Sequence, residues 1–359
     1  MPTSTNTPTP QEKMNTLLNS IEYSLSSLQS DVQFSNLRDG LEDLDTQING
    51  LPGRIKDLRT RGYVYGKGLD AKARELMRRW TPVRANVQSE IIRQTPRLQS
   101  ELIPLETQFG QVKGRAAFVA TALPGAERLN TAVSTFKSKV NSTESMICGM
   151  YDSFTGEVNT FKSDLDQVQW MLEQLSEGCF QLLSTEGCVM AVKATYSRDQ
   201  KMEKDDPQGI LFLTDQRLIF EQKQEIATKK ILFITTEKQK VQQTLLDVPV
   251  NGVEKVEASK KGLFGNEDHL TVIFKSGAPV GQAWFHLNGQ DCQEWNGLIG
   301  RARTGDFNSD RAVAIDKIAE EKVRSAPSQC PNCGAPITQT VLRGMASITC
   351  EYCQFVIRL

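Results

Sequence analysis

From Leu129 onward, apolar residues return every third or fourth position, with one longer gap, through Val133, Phe136, Val140, Ile147, Met150, Phe154, Val158, Phe161, Leu165, Val168, Leu172 and Leu175. Steps of three and four keep such side chains on one stripe of an α-helix. The pattern predicts a helix from Ala126 to about Leu183, roughly 80 Å long at ~1.5 Å per residue if unbroken. A lone helix of that length would leave its stripe in water. It therefore needs neighbours, either in an antiparallel bundle or across subunits.

Candidate neighbours precede it. Leu18, Ile21, Leu25, Leu28 and Val32 form one seam, and Leu37, Leu41, Leu44, Ile48, Leu51, Ile55 and Leu58 form a second with coiled-coil-like spacing. The step of five from Val32 to Leu37 marks a break, and Pro52-Gly53 weakens the second seam locally. After a Gly-rich turn, Gly62 to Gly68, a third arm carries Leu76, Trp80, Val83, Val87, Leu98, Leu102, Leu105, Phe109 and Val112 to about Val119. Thr81-Pro82 and Thr95-Pro96 read as kinks or helix restarts, Pro104 as a further irregularity, and Ala122-Leu123-Pro124-Gly125 as a turn.

Charge divides along the same segments. Glu12 to Asp45 holds seven acids and two bases, Arg54 to Arg97 twelve bases and four acids, and Glu144 to Glu186 eight acids and one base. A basic arm between two acidic ones is expected to be neutralised by antiparallel packing; the competing reading is a surface for nucleic acid or acidic lipid. Tyr63, Tyr65 and Trp80, interleaved with it, read as core aromatics.

Near Glu186 the period changes. Short β-rich runs follow at 189–196, 209–214, 217–220, 230–235, 253–257, 269–274 and 282–286, and Asp291 to Arg303 carries Trp295, Leu298 and Ile299 on one helical face. Within them, Gly209-Ile-Leu-Phe-Leu-Thr-Asp-Gln-Arg-Leu-Ile-Phe220 resembles the L-x-L-T-x-x-R-L-I-F hairpin of GRAM and bacterial PH-like domains. That resemblance implies a β-barrel of about seven strands closed by a C-terminal helix. The segment Asp310 to Arg324 reads as a helical linker.

Cys330-Pro-Asn-Cys333 and Cys350-Glu-Tyr-Cys353 stand sixteen residues apart. Two intervening residues let one tight turn aim both sulfurs at a single ion, and the spacing between the pairs suits a four-thiolate zinc site. Gly334 permits the turn, and Thr338 to Leu342 with Ala346 to Thr349 reads as a hairpin. About thirty residues cannot bury a self-sufficient core, so one structural Zn²⁺ is expected to supply the folding energy; disulfides and an iron or redox role are the competing readings. Residues 329–359 resemble a zinc ribbon, including the CPNCGAP opening, and depart from the pattern at Gln354, where glycine is usual. The resemblance implies a small protein-binding knob.

The other cysteines, Cys148, Cys179, Cys188 and Cys292, fall in segments that read as helix or strand, which fits a reducing compartment. Lys260-Lys261-Gly-Leu263-Phe264-Gly places two apolar side chains beside two bases on a loop, a candidate contact with a membrane or a partner. The loop Ser197 to Gln208 mixes Arg198, Lys201 and Lys204 with Asp199, Glu203, Asp205 and Asp206, which suits protein contacts better than an inositol phosphate pocket. His269 and His286 lie on expected strands outside any H-E-x-x-H, and the chain has neither a Walker A loop nor a G-x-S-x-G elbow. No apolar run reaches the ~20 residues of a membrane-spanning helix, and MPTSTNTPTP lacks the features of a secretory signal.

The sequence therefore predicts a multi-domain α+β chain: a disordered tail at 1–10, an elongated helical bundle or coiled coil at 11–184, a PH/GRAM-like domain at 186–303, a helical linker at 304–328 and a zinc ribbon at 329–359. The expected function is a cytoplasmic, non-enzymatic scaffold or adaptor that assembles through its helices, including as a homo-oligomer, and docks protein partners through the β domain and ribbon. A peripheral membrane protein, or a nucleic-acid-binding protein using the ribbon and the basic arm, is the alternative.

Overall fold

A computed structural model describes residues 8–231 and 234–359. Five helices come first: α1 (Pro10–Asp31), α2 (Ser35–Thr60), α3 (Leu69–Gly114), α4 (Val119–Gly149) and α5 (Asp152–Ser176). Strands β1 (Cys188–Ser197), β2 (Gln208–Thr214), β3 (Arg217–Ile231), β4 (Ile234–Pro249), β5 (Val253–Lys261), β6 (Glu267–Phe274) and β7 (Gln282–Asn288) follow, then α6 (Cys292–Thr304), α7 (Lys317–Ser325), β8 (Ser347–Thr349) and β9 (Val356–Arg358). The chain divides into two compact units: the residues up to Pro52 with Ala71–Ser163, and Gly53–Asp70 with Asp164–Leu359.

In the first unit the predicted stripes are buried, from Met14, Leu18 and Ile21 on α1 to Phe154, Val158 and Phe161 on α5. Cross-helix partners show α3 running antiparallel to the others: Lys113 pairs with Glu22, Arg84 with Glu42 and Asp45, and Arg79 with Glu157. The antiparallel course of α3 draws bases of the basic arm into ion pairs with the flanking acidic helices. Trp80 stacks on Phe154 at 5.5 Å and donates its indole N–H to Asp45 at 2.8 Å.

Several boundaries differ from expectation. The disordered tail expected at 1–10 is corrected at its end: Thr9 caps α1 in a reciprocal capping box with Glu12, and Pro10 takes the first helical turn. Residues 1–7 lie outside the described residues. The break after Val32 is present, with Phe34 at φ +53°. The long helix expected to reach Leu183 is two, α4 and α5, parted at Met150-Tyr151, and α5 ends at Ser176.

Instead of restarting at Pro82 and Pro96, α3 runs through both and through Pro104. Each proline removes one backbone hydrogen bond, but Trp80, Val87, Leu98 and Leu102 remain buried on one face throughout. Pro52 likewise sits inside α2. The turn expected at Ala122–Gly125 lies earlier, at 115–118, with Pro124 inside α4.

The second unit is built on a seven-stranded antiparallel sheet in the order β4-β3-β2-β1-β7-β6-β5, a layout that with α6 is consistent with a PH-like domain. No β4–β5 pairing closes it among the described residues, so the expected barrel is an open hydrogen-bonded sheet. On β6, Leu270, Val272 and Phe274 face inward and alternate with more exposed positions. Rings of Tyr196, Phe220 and Phe285 meet at 5.1–5.8 Å, and α6 lays Trp295 and Ile299 into the same core.

Tyr65, from the Gly-rich turn, completes this core against Phe307 at 5.7 Å. Burying a large apolar side chain of this kind is worth about 1.5–3 kcal/mol. Gly209 is required by close approach: a Cβ there would stand 1.9 Å from the Glu221 carbonyl oxygen on β3.

The strand expected at 230–235 is the far end of a long β3–β4 hairpin, with residues 232 and 233 outside the described residues. Its return arm was missed because Glu237 to Thr244 is mostly polar. Of the segment expected to be a helical linker, only Lys317–Ser325 is α-helical.

Candidate metal centre

Two short turns place the four cysteines. In each, the first cysteine uses its backbone twice: Cys330 N–H donates to Ala335 O and Cys330 O accepts from Gly334 N–H, both at 2.8 Å. Cys350 repeats this with Phe355 O and Gln354 N–H, both at 2.9 Å. Both turns need a left-handed residue at the same place, Gly334 at φ +72° and Gln354 at φ +60°. The departure noted in the sequence is thus a side chain occupying a glycine conformation.

The sulfurs converge. Cys330 and Cys353 Sγ lie 3.6 Å apart, Cys333 and Cys350 Sγ 3.7 Å apart, and all four fall within 4.8 Å of one another. A tetrahedron of thiolates about 2.3 Å from a central Zn²⁺ has edges of about 3.8 Å, so the residues fit the ion. Asn332 Nδ2 donates to Cys353 Sγ at 3.6 Å, and this donor, with the Phe355 backbone, pushes the Cys353 thiol down to about 6. Cys330 and Cys350 are buried while Cys333 is exposed. The four cysteines can hold a metal ion.

The hairpin here pairs β8 with β9 across the second turn, not Thr338–Leu342 with Ala346–Thr349. Val341 to Arg343 has another partner, the connector after α5. Ser184 N–H donates to Val341 O at 3.1 Å, Arg343 N–H to Leu182 O at 3.0 Å, and the Arg343 guanidinium to Glu186 O. Backbone pairing therefore fastens the cysteine module to the base of the sheet.

Beneath that joint lies an ionic cluster absent from the sequence reading. Glu186, whose side chain is 0% exposed, receives Arg217 Nη2 at 2.7 Å, the Leu183 N–H at 2.7 Å and the Thr214 hydroxyl. Arg217 also reaches Asp247 at 2.6 Å and Gln181 O at 2.7 Å. Burial outweighs these cationic contacts at Asp247 and raises its carboxyl above the ordinary range. Thr214 and Arg217 are the Thr and Arg of the recognised hairpin motif, so that motif carries a signal that could have found them.

A nearby cavity of about 400 Å³ is lined by Arg59, Arg311, Lys322 and Arg343. Arg59 donates to Tyr63 O and Gly66 O, Arg311 to Asp215, and Arg343 to Glu186 O, so these three arginines clasp the fold.

The loop between β5 and β6 presents Leu263 at 76% and Phe264 at 96% exposure. Phe264 is itself left-handed at φ +64°, between Gly262 at φ +78° and Gly265 at φ +68°. Lys260 adds little free charge, because its ammonium is held by Asp268 at 2.5 Å and Asp291 at 2.8 Å; Lys261 is exposed. Both bases stand beside the apolar pair, Lys260 committed to two carboxylates and Lys261 exposed. His269 and His286 lie on β6 and β7 as expected, whereas Cys179 sits in the connector after α5 and is exposed. No helix among the described residues is long and apolar enough to cross a membrane.

No family model matches the chain, and neither does any curated protein. Among solved structures it is similar to the Vps36 N-terminal PH domain, with TM-score 0.24 and 14% identity over 35% of this chain and 92% of that one. It is also similar to the PDZ-RhoGEF DH/PH domains in complex with GTP-γ-S-activated RhoA, with TM-score 0.26 and 13% identity over 82% of this chain and 93% of that one. The PH-like layout is carried by strand order and α6, not by these likenesses.

Proposed function

We propose that this chain is a non-enzymatic adaptor that docks a protein partner through the β5–β6 tip, with the cysteine module, held as a ribbon by one Zn²⁺, serving as a rigid knob on the same unit. The observation that carries this reading is Phe264: a large apolar side chain held almost fully in solvent by a left-handed backbone between two glycines. Exposing a phenylalanine in this way gains nothing within the fold, and interface centres are enriched in such aromatic anchors.

The neutralised Lys260 favours a protein over an anionic bilayer, since attraction to such a surface depends on free basic charge, about 1 kcal/mol per base. The helical unit would supply reach or assembly, and a cytoplasmic setting, where thiols stay reduced, suits a four-thiolate site.

The test compares the zinc-loaded full chain with Leu263→Ser/Phe264→Ser in capture from the native host's lysate, alongside flotation with anionic and neutral vesicles. A protein retained by the wild type and lost by the variant, with neither form floating, is the expected result. Flotation of the wild type alone would replace the protein partner with a membrane surface. Identical capture by both forms would overturn the role of the tip.

A further inference from the structure

Away from the cysteines, β6 and β7 bring together a second set of ligand-type side chains. His269 and His286 are directly opposite in the antiparallel register, and their rings stack at 4.8 Å with planes 15° apart. Glu267 lies two residues before His269, hence on the same face of β6, and its Oε2 is 3.3 Å from His269 Nε2. One ligand atom from each of the three falls within 4.8 Å of the others. The neighbouring residues Leu270, Phe285 and Leu287 point the other way, into the core.

We propose that Glu267, His269 and His286 form a second metal site, specific for a Zn²⁺-class divalent transition ion and open at its fourth position. The donor set supports this class: two imidazoles and one carboxylate suit zinc, copper or nickel, whereas calcium and magnesium take oxygen ligands. Tetrahedral Zn²⁺ with Zn–N of about 2.0–2.1 Å requires nitrogens about 3.4 Å apart. Binding requires the two rings to turn out of their stacked arrangement, 15° from parallel, so that a nitrogen of each faces the ion while the strand pair stays fixed.

His269, at 7% exposure, forms the dry side of the site, whereas Glu267 is exposed and His286 half-buried, so the open position faces solvent. A water, or a carboxylate or imidazole from a partner, completes the coordination. The site stands at the base of the β5–β6 tip, since a Cβ on Gly262 would meet Glu267 Cδ at 2.7 Å. Four thiolates and this N₂O set differ enough in affinity to fill in order, cysteines first.

The experiment titrates Zn²⁺ into the full chain already carrying one equivalent, following the imidazole ¹⁵N resonances and retained metal after gel filtration. The expected result is a second retained equivalent with shifts of both histidine rings. His286→Gln loses that equivalent and keeps the first, and Glu267→Gln weakens it by on the order of tenfold or more. Because the ring shifts are read on the wild type, misfolding of a variant does not confuse the outcome. Retention of one equivalent only, or a second that leaves both rings unshifted, would overturn the site.

Discussion

Arg217 and Glu186 meet as a two-point ion pair, Nη2 to Oε2 at 2.7 Å and Nε to Oε1 at 3.0 Å, where the connector after α5 joins the β2–β3 turn. The turn is set by Thr214, whose hydroxyl oxygen accepts the Arg217 N–H at 2.6 Å and the Gln216 N–H at 3.1 Å. Local turn chemistry and a long-range charge pair are thus combined in four residues.

Removing one partner leaves a buried charge without compensation. Arg217→Met is expected to destabilise the sheet by about 3–5 kcal/mol, whereas Glu186→Gln/Arg217→Met recovers much of that loss because the fully buried carboxylate is gone and only Asp247, 36% exposed, is left without its cation. Hydrogen exchange of the β1–β3 amides separates the two. Equal loss in the single and double variants would show that packing, and not charge, holds the joint.

Thr214 and Arg217 were visible in the sequence as letters of a motif, and the hydrophobic strands announced themselves by period. Glu186 was not visible, because an acidic residue after a helix reads as a solvated end until its partner thirty-one positions away is placed beside it. The prolines of α3 misled for a related reason. Local rules weigh the lost hydrogen bond at Pro82 and Pro96, whereas the buried face around them is set by tertiary packing. Likewise β4 is polar along much of its length, and only its pairing with β3 defines it. The cysteines were fully legible, since their ligand spacing is local, but the partner of Val341–Arg343 was not.

Chelation tests that last relationship. Stripping metal from the full chain is expected to unfold residues 329–359, because the module buries little else, and to raise exchange at Ser184 and Arg343, whose amides cross the joint. The amides of β1, β2 and β7 should keep their protection. If the module's amides stay protected without metal, its folding energy comes from packing and the zinc argument fails.

Alkali should act through Tyr63. Burial raises its phenol to about 12, with the nearby Arg59 cation opposing in part. The folded state therefore resists ionisation that the unfolded chain undergoes near pH 10. The sign follows: this contribution to stability is fully present below about pH 10 and is lost as pH rises toward 12. Unfolding midpoints across that window should fall less steeply for Tyr63→Phe than for the wild type. Parallel slopes would mean that Tyr63 ionises freely in the folded state.

Gln354 offers a substitution expected to stabilise. It holds φ +60° at the position that Gly334 fills in the other turn, and its backbone N–H is committed to Cys350 O. A left-handed conformation costs a residue with a Cβ about 1–2 kcal/mol, and glycine avoids this while losing part of the gain through the greater freedom of the unfolded chain. Gln354→Gly should therefore strengthen the module by about 1 kcal/mol, read as tighter apparent Zn²⁺ affinity in competition with a chelator. Gly334→Ala should move it in the opposite direction. If Gln354→Gly weakens metal binding, the glutamine side chain contributes a contact that outweighs the backbone strain, such as its Nε2 donating to Glu351 O at 3.4 Å.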